Sequence, residues 1–250
     1  MGAPGRRALE DRLQGLREEL AVDVCIVNGE NAADGVGITP KLAERLLAAG
    51  ADVITLGNHT WRRGEIGPYL ERSDKVIRPA NFSVHTPGRG LTFTATADGR
   101  EVAVLNVMGS LYLQPGFSLW ETVDELVEEA AARTPVIVVD IHAEATSEKI
   151  ALARWLDGRV TAVLGTHTHV QTSDARVSSA GTAALTDVGM TGPHDSVIGV
   201  IAERAIYRMR TGMPARFDTA ENGVRIEGAL VECGDDGRAT ACEPIRVDWP

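Results

Sequence analysis

The 250-residue chain contains no apolar run approaching the roughly 18 residues a membrane span needs. Met1 to Leu20 is polar and helix-like and lacks the apolar centre of a signal peptide. There are only three cysteines, too few for a disulfide framework. Cys25 falls in the apolar run Val22–Val27, as a buried thiol would. Cys233 and Cys242 flank Gly234-Asp235-Asp236-Gly237. A hairpin turn centred on Asp235-Asp236 would set Cys233 opposite Arg238 and Cys242 opposite Ala229, out of register. Free thiols in a reducing cytoplasm are therefore expected. Basic residues are in the minority, 25 Lys and Arg against 35 Asp and Glu, for a formal charge of −10. That argues against a dedicated nucleic-acid binder, while leaving room for a nucleotide-sized substrate whose charge is met by metals. No G-x-G-x-x-G follows a strand, so a dinucleotide-binding fold has no support. Repeats, low-complexity linkers and domain boundaries are also lacking, which predicts one domain over residues 1–250.

What is present is an alternation of amphipathic and apolar stretches. Leu9, Leu13, Leu16 and Leu20 form one helical stripe, and Val22–Val27 reads as a buried strand. Thr39-Pro40 starts a helix over Lys41–Ala49, stopped by Gly50. Val53–Leu56 is a second strand and Glu65–Arg72 a short helix. Leu91–Ala97 and Glu101–Val107 form a hairpin around Asp98-Gly99. Helices follow at Leu119–Arg133, Ser147–Leu156 and Glu203–Arg210, strands at Pro135–Asp140, Val160–Leu164 and Ala183–Thr186, and a terminal hairpin at 224–247. This order predicts an α/β protein with mixed sheets.

Four of the apolar strands run into metal-competent residues: Asn28-Gly29-Glu30-Asn31, Gly57-Asn58-His59, Asp140-Ile141-His142-Ala143-Glu144 and Gly165-Thr166-His167-Thr168-His169. Ligands of α/β sheets bind beyond the carboxyl ends of strands, so the four could share one site. On extended backbone His167 and His169 would point to the same side. Imidazole, carboxylate and amide oxygen without thiolate suit Mn, Fe or Zn. A pair of such ions clamps a phosphoryl group and activates water. The plainer readings apply elsewhere. His85 and His194 are expected to be structural, Glu144 and Glu148 to belong to the start of the next helix, and Ser147 to cap it. Asp140 either anchors a metal-binding histidine from behind or caps backbone. Trp61, Trp120 and Trp155 are packing residues, with Trp61 near enough to His59 to wall a pocket. Arg78, Asn81 and Asn106 are candidate outer polar contacts.

Six stretches carry a resemblance: VNGENAADGVGIT at 27–39, ITLGNHTW at 54–61, RPANF at 78–82, DIHAEATSEK at 140–149, GTHTHVQT at 165–172 and TDVGMTGPHDS at 186–196. They resemble the calcineurin-like metallophosphoesterases and, more narrowly, the bacterial YmdB-like phosphodiesterases. The resemblance implies a four-layer α/β/β/α sandwich with two divalent ions at the sheet edge, Fe or Mn first, Zn or Mg as alternatives. It makes Glu30 the bridging carboxylate, Asn31 and His169 ligands of the first metal, and Asn58, His142 and His167 ligands of the second. His59 becomes the proton donor to the leaving oxygen, and Asn58 and His59 contact the substrate. The implied substrates are small phosphodiesters, particularly 2′,3′-cyclic nucleotides, and a homo-oligomer is compatible with the family.

The family also begins with a strand ending in Gly-Asp, ahead of a Pro-Gly-Arg that here is Pro4-Gly5-Arg6. That strand and its aspartate, a ligand of the first metal, are expected to lie before Met1. Either the start is an internal methionine, which the presence of every other site residue favours, or the protein is shortened. The rival functions are a metal-dependent phosphomonoesterase and a regulatory or scaffold protein of weakened catalysis.

Overall fold

The computed structural model describes residues 1–250. Helix α1 (Gly2–Glu19) leads to β1 (Ile26–Asn28), α2 (Pro40–Ala48) and β2 (Val53–Thr55). A 3-10 turn (Thr60–Arg62), α3 (Ile66–Arg72) and β3 (Val76–Ile77) follow. Next come β4 (Leu91–Ala95), β5 (Glu101–Met108), α4 (Leu119–Ala131), β6 (Ile137–His142), α5 (Thr146–Trp155) and β7 (Ala162–Thr166). The chain ends with β8 (Arg176–Val177), β9 (Ala183–Leu185), β10 (Gly192–Pro193), α6 (Ala202–Thr211), β11 (Val224–Cys233) and β12 (Ala239–Asp248).

Local chemistry sets several boundaries. Thr39 Oγ1 accepts from the Leu42 amide at 3.3 Å with Pro40 in the first turn of α2, and Ser118 caps α4 through the Glu121 amide at 3.5 Å. Other boundaries differ from expectation. Helix α1 begins at Gly2, seven residues ahead of Leu9, burying Pro4, Gly5 and Ala8 as well as Leu9, Leu13 and Leu16. The strand expected over Val22–Val27 contracts to Ile26–Asn28, because Ala21 takes a left-handed turn (φ 51°) and little of the stretch finds a pairing partner. Helix α5 starts at Thr146 after Ala145, so Ser147 is inside the helix and caps nothing. Strands β6 and β7 continue into their polar ends, since Met108, His142 and Thr166 stay in register across the ladder.

Three sheets result. Strands β1-β2-β3 are parallel, β10-β11-β12 antiparallel, and the order β4-β5-β6-β7-β9-β8 is mixed, with parallel β5, β6, β7 and β9 flanked by antiparallel β4 and β8. Val53 and Ile77 pack on Val102 and Val104, and Ala162 and Ala183 on Ala239 and Val231, so both small sheets face the large one. The outer face of the β1 sheet is covered by Leu13, Leu16, Leu46, Ile66 and Leu70 of α1, α2 and α3. Leu119, Val123, Val127 and Leu152 of α4 and α5 cover the far face of the large sheet. The carboxyl ends of β1, β2, β6 and β7 thus lie along one rim.

The terminal hairpin forms, with a register different from the expected one. Cys233 pairs with Ala239 and Cys242 with Val231, because the turn takes in one residue more than expected, Gly234 bonding to Arg238, and a bulge at Glu232/Cys233 shifts the register by one more. All three thiols are free, and burial pushes that of Cys25 up to about 11. No helix is long and apolar enough to cross a membrane.

Strand β1 is an edge strand, and β11 pairs beyond its first two residues on the β12 side only. Between these edges runs a cleft of about 660 Å³. Leu9, Leu13 and Leu16 form one wall and Val104, Val136 and Val138 another, and the polar end is lined by Asn31, His142 and His169. The amine of Met1 lies buried at the same cleft and donates to the Thr191 carbonyl, with burial bringing its pKa down to about 5.

Candidate active site

Glu30, just beyond β1, is almost wholly buried. Its Oε2 accepts the His59 amide at 3.0 Å, and its Oε1 accepts Asn31 Nδ2 at 3.1 Å and lies 3.3 Å from His142 Nε2. Burial alone would raise this carboxyl, but His142 and His59 outweigh it and hold it at about 2. Gly57 is what lets β2 approach, since a Cβ there would collide with His142 Nε2 and Glu30 Oε2.

The histidine tautomers follow from their far-side partners. Thr166 Oγ1 spends its proton on Asp140 Oδ1 at 2.7 Å, so it must accept from His142 Nδ1 at 3.0 Å. In the neutral ring His142 Nε2 is then bare. It faces Asn58 Oδ1 at 2.8 Å and His167 Nδ1 at 3.1 Å. His167 is also bare at that nitrogen, because its Nε2 lies 3.1 Å from Glu144 Oε2. With His142 neutral, two imidazole lone pairs, an amide oxygen and a carboxylate point at one another, an arrangement that repels until a metal ion, or a proton shared by His142 Nε2 and Glu30, lies among them. The donor atoms of Glu30, His142 and His167 all fall within 4.8 Å of one another. Burial and the neighbouring His142 lower His167 to about 4, which keeps it neutral as a ligand must be. Burial works against charging His142 too, yet Glu30 raises it above its ordinary value. The residues therefore fit a metal centre.

A second cluster adjoins the first. His169 Nδ1 donates to the Ile198 carbonyl at 3.0 Å, leaving Nε2 bare and 3.0 Å from Asn31 Nδ2. Asn31 Oδ1 accepts His59 Nδ1 at 2.7 Å. For Asn31 to offer oxygen beside His169, its amide must turn over, which would also move the proton of neutral His59 from Nδ1 to Nε2. Burial lowers both His59 and His169.

The family of YmdB-like proteins matches residues 1–245. The chain belongs to it. It is 46% identical over 249 residues to the 2′,3′-cyclic-nucleotide 2′-phosphodiesterase of Bacillus subtilis, covering 99% of this chain and 94% of that protein. Among solved structures, a hypothetical protein from Thermus thermophilus superposes with a TM-score of 0.93 at 40% identity, covering 100% of this chain and 96% of that one. A phosphatase from Mycoplasma pneumoniae superposes with a TM-score of 0.89 at 32% identity, covering 99% and 90%.

In this YmdB-like chain, Glu30, Asn31, Asn58, His59, His142, His167 and His169 converge at one rim. His167 and His169, however, are not on extended backbone. β7 ends at Thr166, and both residues are left-handed, with φ of 103° and 64°. Each such non-glycine residue costs on the order of 1–3 kcal/mol, so the surroundings must impose it. Their rings reach different partners, His142 and Glu144 for His167, Asn31 and the Ile198 carbonyl for His169, while both line the same cleft. Of the three outer candidates, Arg78 is buried and gives its guanidinium to backbone carbonyls including Pro79, Thr86 and Gly88, and Asn81 clamps both backbone groups of Met108. Asn106 is buried against the Asp140 carbonyl. Trp61 remains partly exposed and packs on Phe82, with ring centroids 5.9 Å apart.

Further residues support these from behind, Asp140 in the first of the two roles expected of it and others without a sequence signal. Asp140 acts on His142 through Thr166, and also accepts Asn28 Nδ2 at 3.2 Å. Glu148 does more than favour the helix start: its carboxylate accepts the amides of Ser110 at 2.6 Å and Leu111 at 3.3 Å. Lys149 and Asp187, both within the resembling stretches, form a fully buried ion pair. A helix lysine reads as solvated by default, and only its place in DIHAEATSEK hinted otherwise.

Proposed function

We propose that the chain is a dinuclear-metal phosphodiesterase of small phosphodiesters, with 2′,3′-cyclic nucleotides as its substrates. The convergence of Glu30 Oε1, Asn58 Oδ1, His142 Nε2 and His167 Nδ1 carries this reading, because with His142 neutral these acceptor groups are a ready ligand set, and without a metal ion they need a proton on His142 Nε2 to hold them together. The family relationship and the activity of the Bacillus subtilis relative support the substrate class. Glu30 would serve both ions, Asn58, His142 and His167 would hold one, and Asn31 and His169 the other. Fe or Mn suits this donor set, with Zn and Mg next. When bound, the ions hold the phosphate oxygens and lower the pKa of a water.

The protein's own groups do the rest. The layered sheets are read as the α/β/β/α metallophosphoesterase sandwich, acting as one domain. His59 Nε2 has no protein partner and delivers a proton to the departing oxygen, while Asn58 and His59 contact the phosphate. Asp140 and Thr166 keep His142 in the Nδ1–H form, and Glu144 does the complementary service for His167. We read the apolar cleft beside β1, with an unpaired edge on each side and its polar end at Asn31 and His169, as room for a further strand. An extended segment ending in a carboxylate, paired with β1, would complete both the sheet and the first-metal ligands. The free thiols favour the cytoplasm, and the exposed Ile206, Tyr207 and Met209 on α6 favour self-association.

The test is metal content by elemental analysis, together with turnover of 2′,3′-cyclic nucleotides, linear diesters and monoesters, with and without about ten upstream codons. Diester turnover with up to two ions per chain is expected, improved by the longer form. Preference for monoesters would make the protein a phosphomonoesterase, and metal-free inactive protein in both forms would make it a scaffold.

A further inference from the structure

The segment His167-Thr168-His169 carries two of the ligands proposed above, and neither residue around Thr168 holds its backbone conformation for local reasons. What grips the segment lies behind it. Asp187 Oδ2 accepts both the Thr168 amide at 3.0 Å and the Thr168 hydroxyl at 2.8 Å. The same oxygen receives Lys149 Nζ at 2.8 Å, and Oδ1 accepts the Gly189 amide at 2.9 Å. The Asp187 backbone is itself fixed by Thr172, whose hydroxyl accepts the Asp187 amide at 2.9 Å and whose amide donates to the Asp187 carbonyl at 3.1 Å. Lys149 reaches this point from α5 across Gly165, where a Cβ would come within 2.8 Å of Lys149 Cδ and collide with the Thr186 carbonyl. Lys149 and Asp187 are each about 1% exposed at the side chain.

A buried ion pair is a poor source of stability, since two apolar residues of similar size commonly serve as well. This one does something an apolar pair cannot. It presents an immobile, fully occupied carboxylate to the residue between two metal-directed histidines. With donors on both oxygens, Asp187 is also kept from turning toward a cation as a ligand itself.

We propose that Lys149 and Asp187 are positioning residues: a buried strut that holds Thr168 and so aims His167 Nδ1 and His169 Nε2 at the metal centre. The proposal rests on the metal reading of those histidines. The strut acts before any cation arrives, so apo protein carries its signature too.

The experiment compares Thr168→Val, which loses the hydroxyl bond, with Thr168→Ser, which keeps it, alongside Lys149→Met. Mn²⁺ affinity is measured by calorimetry, apo Tm by thermal scan, and the His167 and His169 imidazole resonances of apo protein by nitrogen-detected NMR. Thr168→Val should weaken Mn²⁺ about tenfold, Thr168→Ser by less than about twofold, and Lys149→Met by about 10- to 100-fold. The Thr168 variants should keep the apo Tm within about 2 °C, and the two histidine resonances should move in Thr168→Val and Lys149→Met while those of His59 stay. If Lys149→Met fails to fold, the Thr168 pair decides. Wild-type affinity in Thr168→Val with unmoved resonances overturns the strut and leaves the metal reading intact. If wild type binds no Mn²⁺, the metal reading falls, and the apo resonances alone decide whether the strut positions the rings.

Discussion

The two halves of the candidate site reach similar precision by opposite means. Asn58 and His59 follow β2 on a locally relaxed turn, where Gly57 supplies space and the Glu30 carboxylate collects the His59 amide. His167 and His169 follow β7 on left-handed backbone, held from behind by a lysine 18 residues before His167 and an aspartate 18 residues after His169. One half depends on the absence of a side chain, the other on the presence of distant ones. Close packing around a rigid rim therefore tolerates little at Gly57, whereas damage on the histidine side should be graded.

That contrast can be broken at several points. Gly57→Ala should have the largest effect, because the new methyl enters the space between His142 and Glu30. Turnover should fall by at least about 10³-fold and metal content drop, while the circular dichroism spectrum stays that of a folded protein. His59→Ala should keep its metal and lose about 10²- to 10⁴-fold in rate, the usual contribution of a positioned acid. Wild-type turnover in that variant would remove His59 from the chemistry. Thr166→Val interrupts the link from His142 to Asp140 and should weaken metal affinity about 10- to 100-fold by titration, with a smaller change in rate at saturating metal. Ile198→Gly should do least. Ile198 is itself left-handed, with φ of 46°, so glycine relieves about 1–2 kcal/mol of strain. The added freedom of the unfolded chain costs about 0.5–1 kcal/mol in return. A Tm shift of no more than a few degrees, with metal affinity unchanged, is expected because the carbonyl that receives His169 Nδ1 is retained.

The same contrast governs what could be read from residues alone. The alternation of strands and helices, the Thr39-Pro40 start of α2 and the hairpin at Asp98-Gly99 depend on neighbours in sequence, and they stand in the structure close to where they were expected. The gathering of Glu30, Asn58, His142 and His167 was legible because polar residues end apolar strands that share a direction. What escaped notice depends on partners far along the chain. His167 and His169 were expected on extended backbone, but Asp187 bends them off it. The Cys233 and Cys242 register slipped because neither the longer turn nor the bulge leaves a compositional mark. Asp140 could be read two ways until Thr166 was seen between it and His142.

Glu148 and Lys149 are consecutive residues of α5, yet they are tied to different segments of the chain: one to the 110–111 loop, the other through Asp187 to Thr168. A tilt of this single helix would shift both segments together, so the 110–111 loop and the aim of the imidazoles are mechanically geared to one another.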